Sequence, residues 1–195
     1  MNIAVLASTN GTDLQAIIDE IEAGKMPNVN LKLVASNKKC PALERAQKHD
    51  IPTLYIDPTN KTRQEFDEEL IKELKSQSID LVVLVGYMRI LTPQFIKAFP
   101  KQIINVHPSL IPKYSGHDFY GKSVHEAVIK NQETESGMTI HYVDEGVDTG
   151  EIILQKTCPV TKEDTPETLK QKVQELEKKW YPEVIRNLTS TSKNI

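Results

Sequence analysis

The first 107 residues contain five apolar runs, "NIAVLAS" (2–8), "VNLKLVAS" (29–36), "PTLYI" (52–56), "DLVVLVGY" (80–87) and "QIINVH" (102–107). The first and fourth are hydrophobic almost throughout, and the fifth across Ile103, Ile104 and Val106. A strand with one face in water alternates apolar and polar residues, whereas a strand covered on both faces does not, and such runs are typical of parallel sheets. Segments of helical period lie between them. Leu14, Ile17, Ile18 and Ile21 fall on one helix stripe, and so do Phe66, Leu70, Ile71 and Leu74. This β-α-β-α-β alternation predicts a doubly wound, mostly parallel α/β sheet of Rossmann-like type.

The pattern changes after about residue 120. A short helix over roughly 120–130 leads to "GMTIHYVD" and "EIILQKTCPV", a C-terminal strand pair with no helix between its members. A long C-terminal helix follows, with Thr165 as its N-cap and Pro166 in its first position. Its predicted buried stripe is Leu169, Val173, Leu176, Trp180, Val184 and Leu188. The tail "TSTSKNI" (189–195) reads as frayed. With 195 residues and neither repeat nor linker, the chain reads as one domain.

A formal charge of −3 without clustered Lys and Arg argues against nucleic acid as a partner. Cys40 and Cys158 stand far apart and without histidines at ligand spacing, so free thiols are expected and no metal. "MNIAVLAS" lacks the features of a leader or a membrane span, which points to a soluble cytoplasmic protein.

Chemistry-bearing residues follow the apolar strands, where open α/β sheets bind their ligands. Asn105 and His107 lie two apart at the end of a strand, so their side chains project from one face. Both can donate hydrogen bonds to an oxyanion. Asp144, Glu145 and Asp148 in "DEGVDTGEI" offer carboxylates, and Thr149-Gly150 places Asp148 in a tight turn. "NGTDLQ" forms a strand-to-helix turn. Gly11 permits close backbone approach, Thr12 and Gln15 match a capping box, and the helix N-terminus suits a phosphate. The same turn reads equally well as a plain capped helix. It is neither the three-glycine dinucleotide fingerprint nor a Walker loop, so a phosphomonoester fits better than NAD or ATP.

"NVHPSLIPKY", followed 41 residues after His107 by Asp148 in "HYVDEGVDTGEIILQ", resembles the folate-dependent formyltransferases. "LASTNGTDLQAI" and "GYMRILTP" resemble the branch of that family acting on glycinamide ribonucleotide, and the likeness runs from about residue 2 to about residue 188. The resemblance implies that Asn105, His107 and Asp148 are catalytic. Asn10, Gly11, Thr12 and Asp13 would hold the phosphate of glycinamide ribonucleotide, and Glu177, with Gln174 nearby, its ribose. Arg63, the segment Met88, Arg89, Ile90 and Leu91, and the loop Asp144, Glu145, Gly146 and Val147 would bind 10-formyltetrahydrofolate as formyl donor. Residues 1–100 would then form the phosphate-binding half and 101–188 the catalytic, folate-binding half of a monomer or homodimer. His141 falls where it can line the site.

The chain departs from the family pattern in two places. Asp13 stands where the family carries Asn, which sets an anion beside a phosphate unless the side chain turns away. The connection "YSGHDFYGKSVHEAV" is also longer than the shortest family versions. The implied reaction is amine attack on a formyl carbon, with Asn105 and a charged His107 holding the oxyanion and Asp148 relaying protons. A formyltetrahydrofolate hydrolase or another formyltransferase would use the same three residues. The hydrolase normally carries an additional domain before the first strand, and a methionyl-tRNA formyltransferase would need a basic C-terminal domain. A non-catalytic phosphometabolite-binding domain would need only the phosphate loop.

Overall fold

A computed structural model describes the backbone of residues 1–191 and the side chains through Thr189. Strands β1 (Asn2–Ala7), β2 (Asn30–Ser36), β3 (Thr53–Tyr55), β4 (Leu81–Val85) and β5 (Ile103–His107) alternate with helices α1 (Thr12–Glu22), α2 (Pro41–Lys48), α3 (Arg63–Ser76) and α4 (Pro93–Ala98). Helix α5 (Lys122–Lys130), strands β6 (Glu135–Tyr142) and β7 (Ile152–Pro159), and helix α6 (Pro166–Thr191) complete the chain.

The strands form one seven-stranded sheet in the order β3-β2-β1-β4-β5-β6-β7. The pairs from β3 to β5 are parallel, while β6 runs antiparallel to β5 and to β7. The unbroken hydrophobicity of β1 and β4 has the expected cause. Ile3, Val5, Leu81 and Val83 face a core shared with α1, α2, α5 and α6. Ala4, Leu6, Val82 and Leu84 face a second core beneath α3 and α4. The direction of winding reverses between β1 and β4, which opens a crevice at their carboxyl ends.

Three local expectations need correction. No Thr12–Gln15 capping box forms, because Gly11 is the N-cap of α1, in left-handed conformation, with no side-chain cap. A Cβ there would lie 2.9 Å from the Cβ of Ala42, so the turn packs too closely against α2 for a side chain at that position. A capping box forms instead at α3, between Thr62 and Glu65. The fully buried stripe of α6 is also rotated from the one expected. Leu169, Val173, Tyr181, Val184 and Ile185 lie inside, while Leu176, Trp180 and Leu188 are only partly buried beside the core. The Trp180 ring is instead covered by Lys156 and Lys179. Finally, residues 189–191 of the supposed tail continue α6, and residues 192–195 lie outside the described residues.

Candidate active site

Loops after β1, β4, β5 and β6 meet at the crevice. The β1 and β4 loops are tied together: the Ser8 N–H donates to the Gly86 carbonyl at 3.3 Å, and the Met88 N–H to Ser8 Oγ at 3.0 Å. Gly86 has positive φ, and a Cβ there would lie 2.4 Å from Thr9 Oγ1, so the two loops approach each other closely.

Asn105 and His107 project from the tip of β5. Asn105 pairs in register with His141 on β6, and its Nδ2 lies 3.2 Å from His141 Nε2. His141 Nδ1 lies 2.8 Å from the Tyr142 carbonyl, which only accepts, so Nδ1 carries a proton. Nε2 therefore faces both the Asn105 amide and Asp148 Oδ1: without a proton it accepts from Asn105, and with one it donates to Asp148. His107 Nε2 likewise donates to the Tyr114 carbonyl at 2.7 Å, leaving Nδ1 facing Asp148 Oδ2 at 3.4 Å.

Asp148 reaches this group from the far side of a loop. Its φ is 58°, a left-handed conformation that Asp tolerates better than most residues. Gly150 makes the turn possible, since a Cβ there would sit 1.8 Å from the Tyr142 carbonyl oxygen. Oδ2 accepts the Gly116 N–H at 3.0 Å, and Oδ1 lies 3.6 Å from His141 Nε2. Asp148 therefore joins both imidazoles to the long connection after β5. Sequence reasoning gave no role to Tyr114 or Gly116, whose contribution is a carbonyl and an N–H that carry no side-chain signal.

Burial pushes the Asp148 carboxyl upward, but the hydrogen bond from His141, the His107 charge and the Gly116 N–H together hold it below the usual carboxylate value. Burial dominates at His107 and draws its pKa below that of an ordinary histidine, against the pull of Asp148 and the Tyr114 carbonyl. Burial thus works against the charged His107 expected at the oxyanion, and its Nε2 is already committed to the Tyr114 carbonyl.

The β1–α1 turn is held from behind. Arg45 Nε donates to the Asn10 carbonyl at 2.7 Å and Arg45 Nη1 to Gln15 Oε1 at 3.1 Å. Sequence reasoning missed Arg45, which sits on a short helix with nothing to mark it. Asn10 is exposed and Thr12 half-buried, with the first backbone N–H groups of α1 uncapped by side chains. Asp13 turns inward and is 6% exposed. From α6, Glu177 is 7% exposed, so it belongs to the buried face rather than to a solvated one. Gln174 is half-buried one turn earlier.

On the other side, Arg63 Nη2 donates to the Ile90 carbonyl at 2.7 Å, which brings Arg63 against the 88–91 segment. Arg89 lies over the Phe66 ring at 4.1 Å. Met88 and Ile90 are exposed, at 45% and 47%, whereas Leu91 is buried and belongs to the core beneath α3 and α4. Asp144 Oδ1 accepts from the Gly146 N–H at 3.0 Å and from Thr149 Oγ1 at 2.6 Å, which shapes the loop that carries Asp148. Glu145 and Gly146 are exposed at its tip, and Val147 is half-buried.

Cys40 and Cys158 are free and buried, and no group able to hold a metal ion occurs among the described residues. No helix among them is long and apolar enough to cross a membrane. His49 lies against Glu22 and Gln15, behind the β1–α1 turn.

The formyl transferase family model matches residues 1–185. A phosphoribosylglycinamide formyltransferase of Bacillus subtilis is 36% identical over 186 residues, covering 95% of this chain and 93% of that protein. One from Haemophilus influenzae is 39% identical, covering 96% of this chain and 86% of that protein. The crystal structure of the Bacillus halodurans phosphoribosylglycinamide formyltransferase superposes with a TM-score of 0.91 at 38% identity, covering 100% of this chain and 98% of that one. With its fold and nearly all of its length matched, the chain belongs to the formyl transferase family alongside these phosphoribosylglycinamide formyltransferases.

Proposed function

We infer that the protein transfers the formyl group of 10-formyltetrahydrofolate to the amine of glycinamide ribonucleotide, a step of purine biosynthesis. The observation that carries the site assignment is the convergence of Asp148 on His107 at 3.4 Å and on His141 at 3.6 Å, beside the amide of Asn105. The phosphate rests on the N-terminus of α1 within the turn Asn10–Asp13, Asp13 contributing its N–H. Gln174 and Glu177 of α6 face the ribose. The formyl donor lies along exposed Met88 and Ile90 and against the 144–147 loop; Leu91 serves that segment from the core, and Arg63 holds it through the Ile90 carbonyl.

In the reaction the substrate nitrogen forms a bond to the formyl carbon and the bond from that carbon to the folate nitrogen breaks. One proton leaves the amine and one is needed by the departing nitrogen. Ionised Asp148 takes the first and delivers it, with His107 Nδ1 beside it able to share the charge. Asn105 donates its free N–H to the formyl oxygen as negative charge develops there. The proton that Asp148 takes from the amine is shared with His107 Nδ1, which makes the ring an imidazolium beside the oxyanion until that proton goes to the folate nitrogen. The Tyr114 carbonyl steers the ring throughout. A hydrolase of the same family would need only water in place of the amine. The test is tetrahydrofolate release from 10-formyltetrahydrofolate with and without glycinamide ribonucleotide. Release that requires the amine is the expected result; release without it would replace transfer by hydrolysis, and none at all would leave a binding domain.

A further inference from the structure

Asp13 and Glu177 raise a question that the reaction does not answer. Asp13 sits in the first turn of α1, Glu177 lies on the buried face of α6, and the two helices pack together. Asp13 Oδ1 is buried without a hydrogen-bond partner. Among the described residues no cation comes within ion-pair distance of either carboxyl. Lys178 bonds to Glu175 at 2.7 Å and Lys170 is exposed, so both act on the pair only from a distance. The remaining titratable neighbour is Tyr181, whose hydroxyl is committed to the Leu84 and Ile104 carbonyls. Two carboxylates buried this way cannot both ionise cheaply, whereas a carboxylate beside a carboxylic acid can form a hydrogen bond.

We propose that Asp13 and Glu177 share one proton across the α1–α6 contact, and that Asp13 acts as a positioning residue which takes up a second proton when a phosphate dianion docks on α1. The proposal rests on the phosphate reading given above and extends it. Burial raises the Asp13 carboxyl to about 6, with Lys178 drawing it partly back. Glu177 is raised well above the usual carboxylate range by burial and then by the Asp13 charge. Near neutral pH the pair therefore holds one proton between its two carboxyls, so that one can donate a hydrogen bond while the other accepts it. A dianion arriving at the helix end repels Asp13 most directly, since Asp13 lies in that same turn. Neutralising Asp13 removes the repulsion that an anion in this turn would otherwise cause, and it ties substrate affinity to pH.

Two measurements test this. In the free protein, infrared spectroscopy should find the C=O stretch of a protonated carboxylic acid at neutral pH, absent in Glu177→Gln. In Asp13→Asn its titration midpoint should fall. A missing band, or an unchanged midpoint in Asp13→Asn, would overturn the pairing. Calorimetric titration with glycinamide ribonucleotide in two buffers of different ionisation enthalpy should then show more proton uptake in the wild type than in Asp13→Asn. Between pH 6 and pH 8 the wild type should lose up to about tenfold more affinity than the variant, the equivalent of one pKa unit. The phosphate's own ionisation is common to both proteins and cancels. Equal uptake would overturn the coupling. A wild type that fails to bind the nucleotide would count against the proposed substrate instead, and the free-protein titration would still decide the pairing.

Discussion

On one side of the crevice Asp148 has both carboxylate oxygens facing protein nitrogens, at Gly116, His107 and His141. On the other, Asp13 is more deeply buried and leaves Oδ1 with no partner. The surroundings separate two residues of identical chemistry: hydrogen bonds hold the Asp148 carboxyl below its ordinary value, and burial lifts that of Asp13. A satisfied carboxylate is a fixed part of a preorganised group, while an unsatisfied one responds to what arrives beside it.

The hardest test of this contrast is activity. Asn105→Ala and Asp148→Asn should each lower kcat on the order of a hundredfold to a thousandfold, with smaller changes in KM. Steady-state kinetics that leave kcat near normal in both would remove the satisfied group from the chemistry. Gly150→Ala should come next, because its Cβ would meet the Tyr142 carbonyl oxygen at 1.8 Å and the turn presenting Asp148 must shift. A displacement of that kind costs on the order of a hundredfold in turnover, and a crystal structure of the variant would show Asp148 withdrawn from His107.

Stability sharpens the comparison because its sign reverses between the two aspartates. The folded pKa of Asp148 is depressed, so its contribution is present above the unfolded carboxylate pKa and is lost as pH falls through the lower folded value. Asp13 is raised to about 6, so its ionisation costs stability, increasingly from pH 4 to pH 6 and fully above. At pH 7.5, denaturant unfolding should find Asp148→Asn less stable and Asp13→Asn more stable, the second by about 1–3 kcal/mol. The Asp13→Asn gain should vanish toward pH 4; a gain independent of pH would mean that the carboxyl is not what costs stability there.

The smallest effect concerns His107. Because burial draws His107 down, the acid limb of kcat should lie below the ordinary histidine pKa. Asp148→Asn should move it lower still, since it removes the charge that pulls the ring upward. A limb at or above the ordinary value would show that burial does not govern this histidine.

The contrast between the aspartates also marks what the sequence could convey. The strands are legible to within a residue or two, because burial on both faces writes itself into continuous runs such as "DLVVLVGY". Asn105 and His107 are legible as a pair by alternation alone. That Asp148 meets them depends on a loop returning across the sheet, which spacing does not encode; the family resemblance supplied it. The inward turn of Asp13 was left open, because it follows from Gly11 packing on Ala42 and from where α6 settles. The burial of Glu177 was illegible for the same reason, since a Glu in "ELEKKWYP" reads as solvated until the rotation of α6 is known. The downward shift of His107 was equally hidden, because it follows from burial that only the folded chain reveals.

Tyr181 carries a consequence for how the molecule comes together. Its hydroxyl reaches the carbonyls of Leu84 and Ile104, near the ends of the two adjacent strands that lead into the 88–91 segment and carry Asn105. Helix α6, which also bears Glu177, is translated after all seven strands. The keystone is thus laid last: a nascent chain can assemble its whole sheet and still lack the clasp that sets the nucleotide-facing helix against the reacting centre.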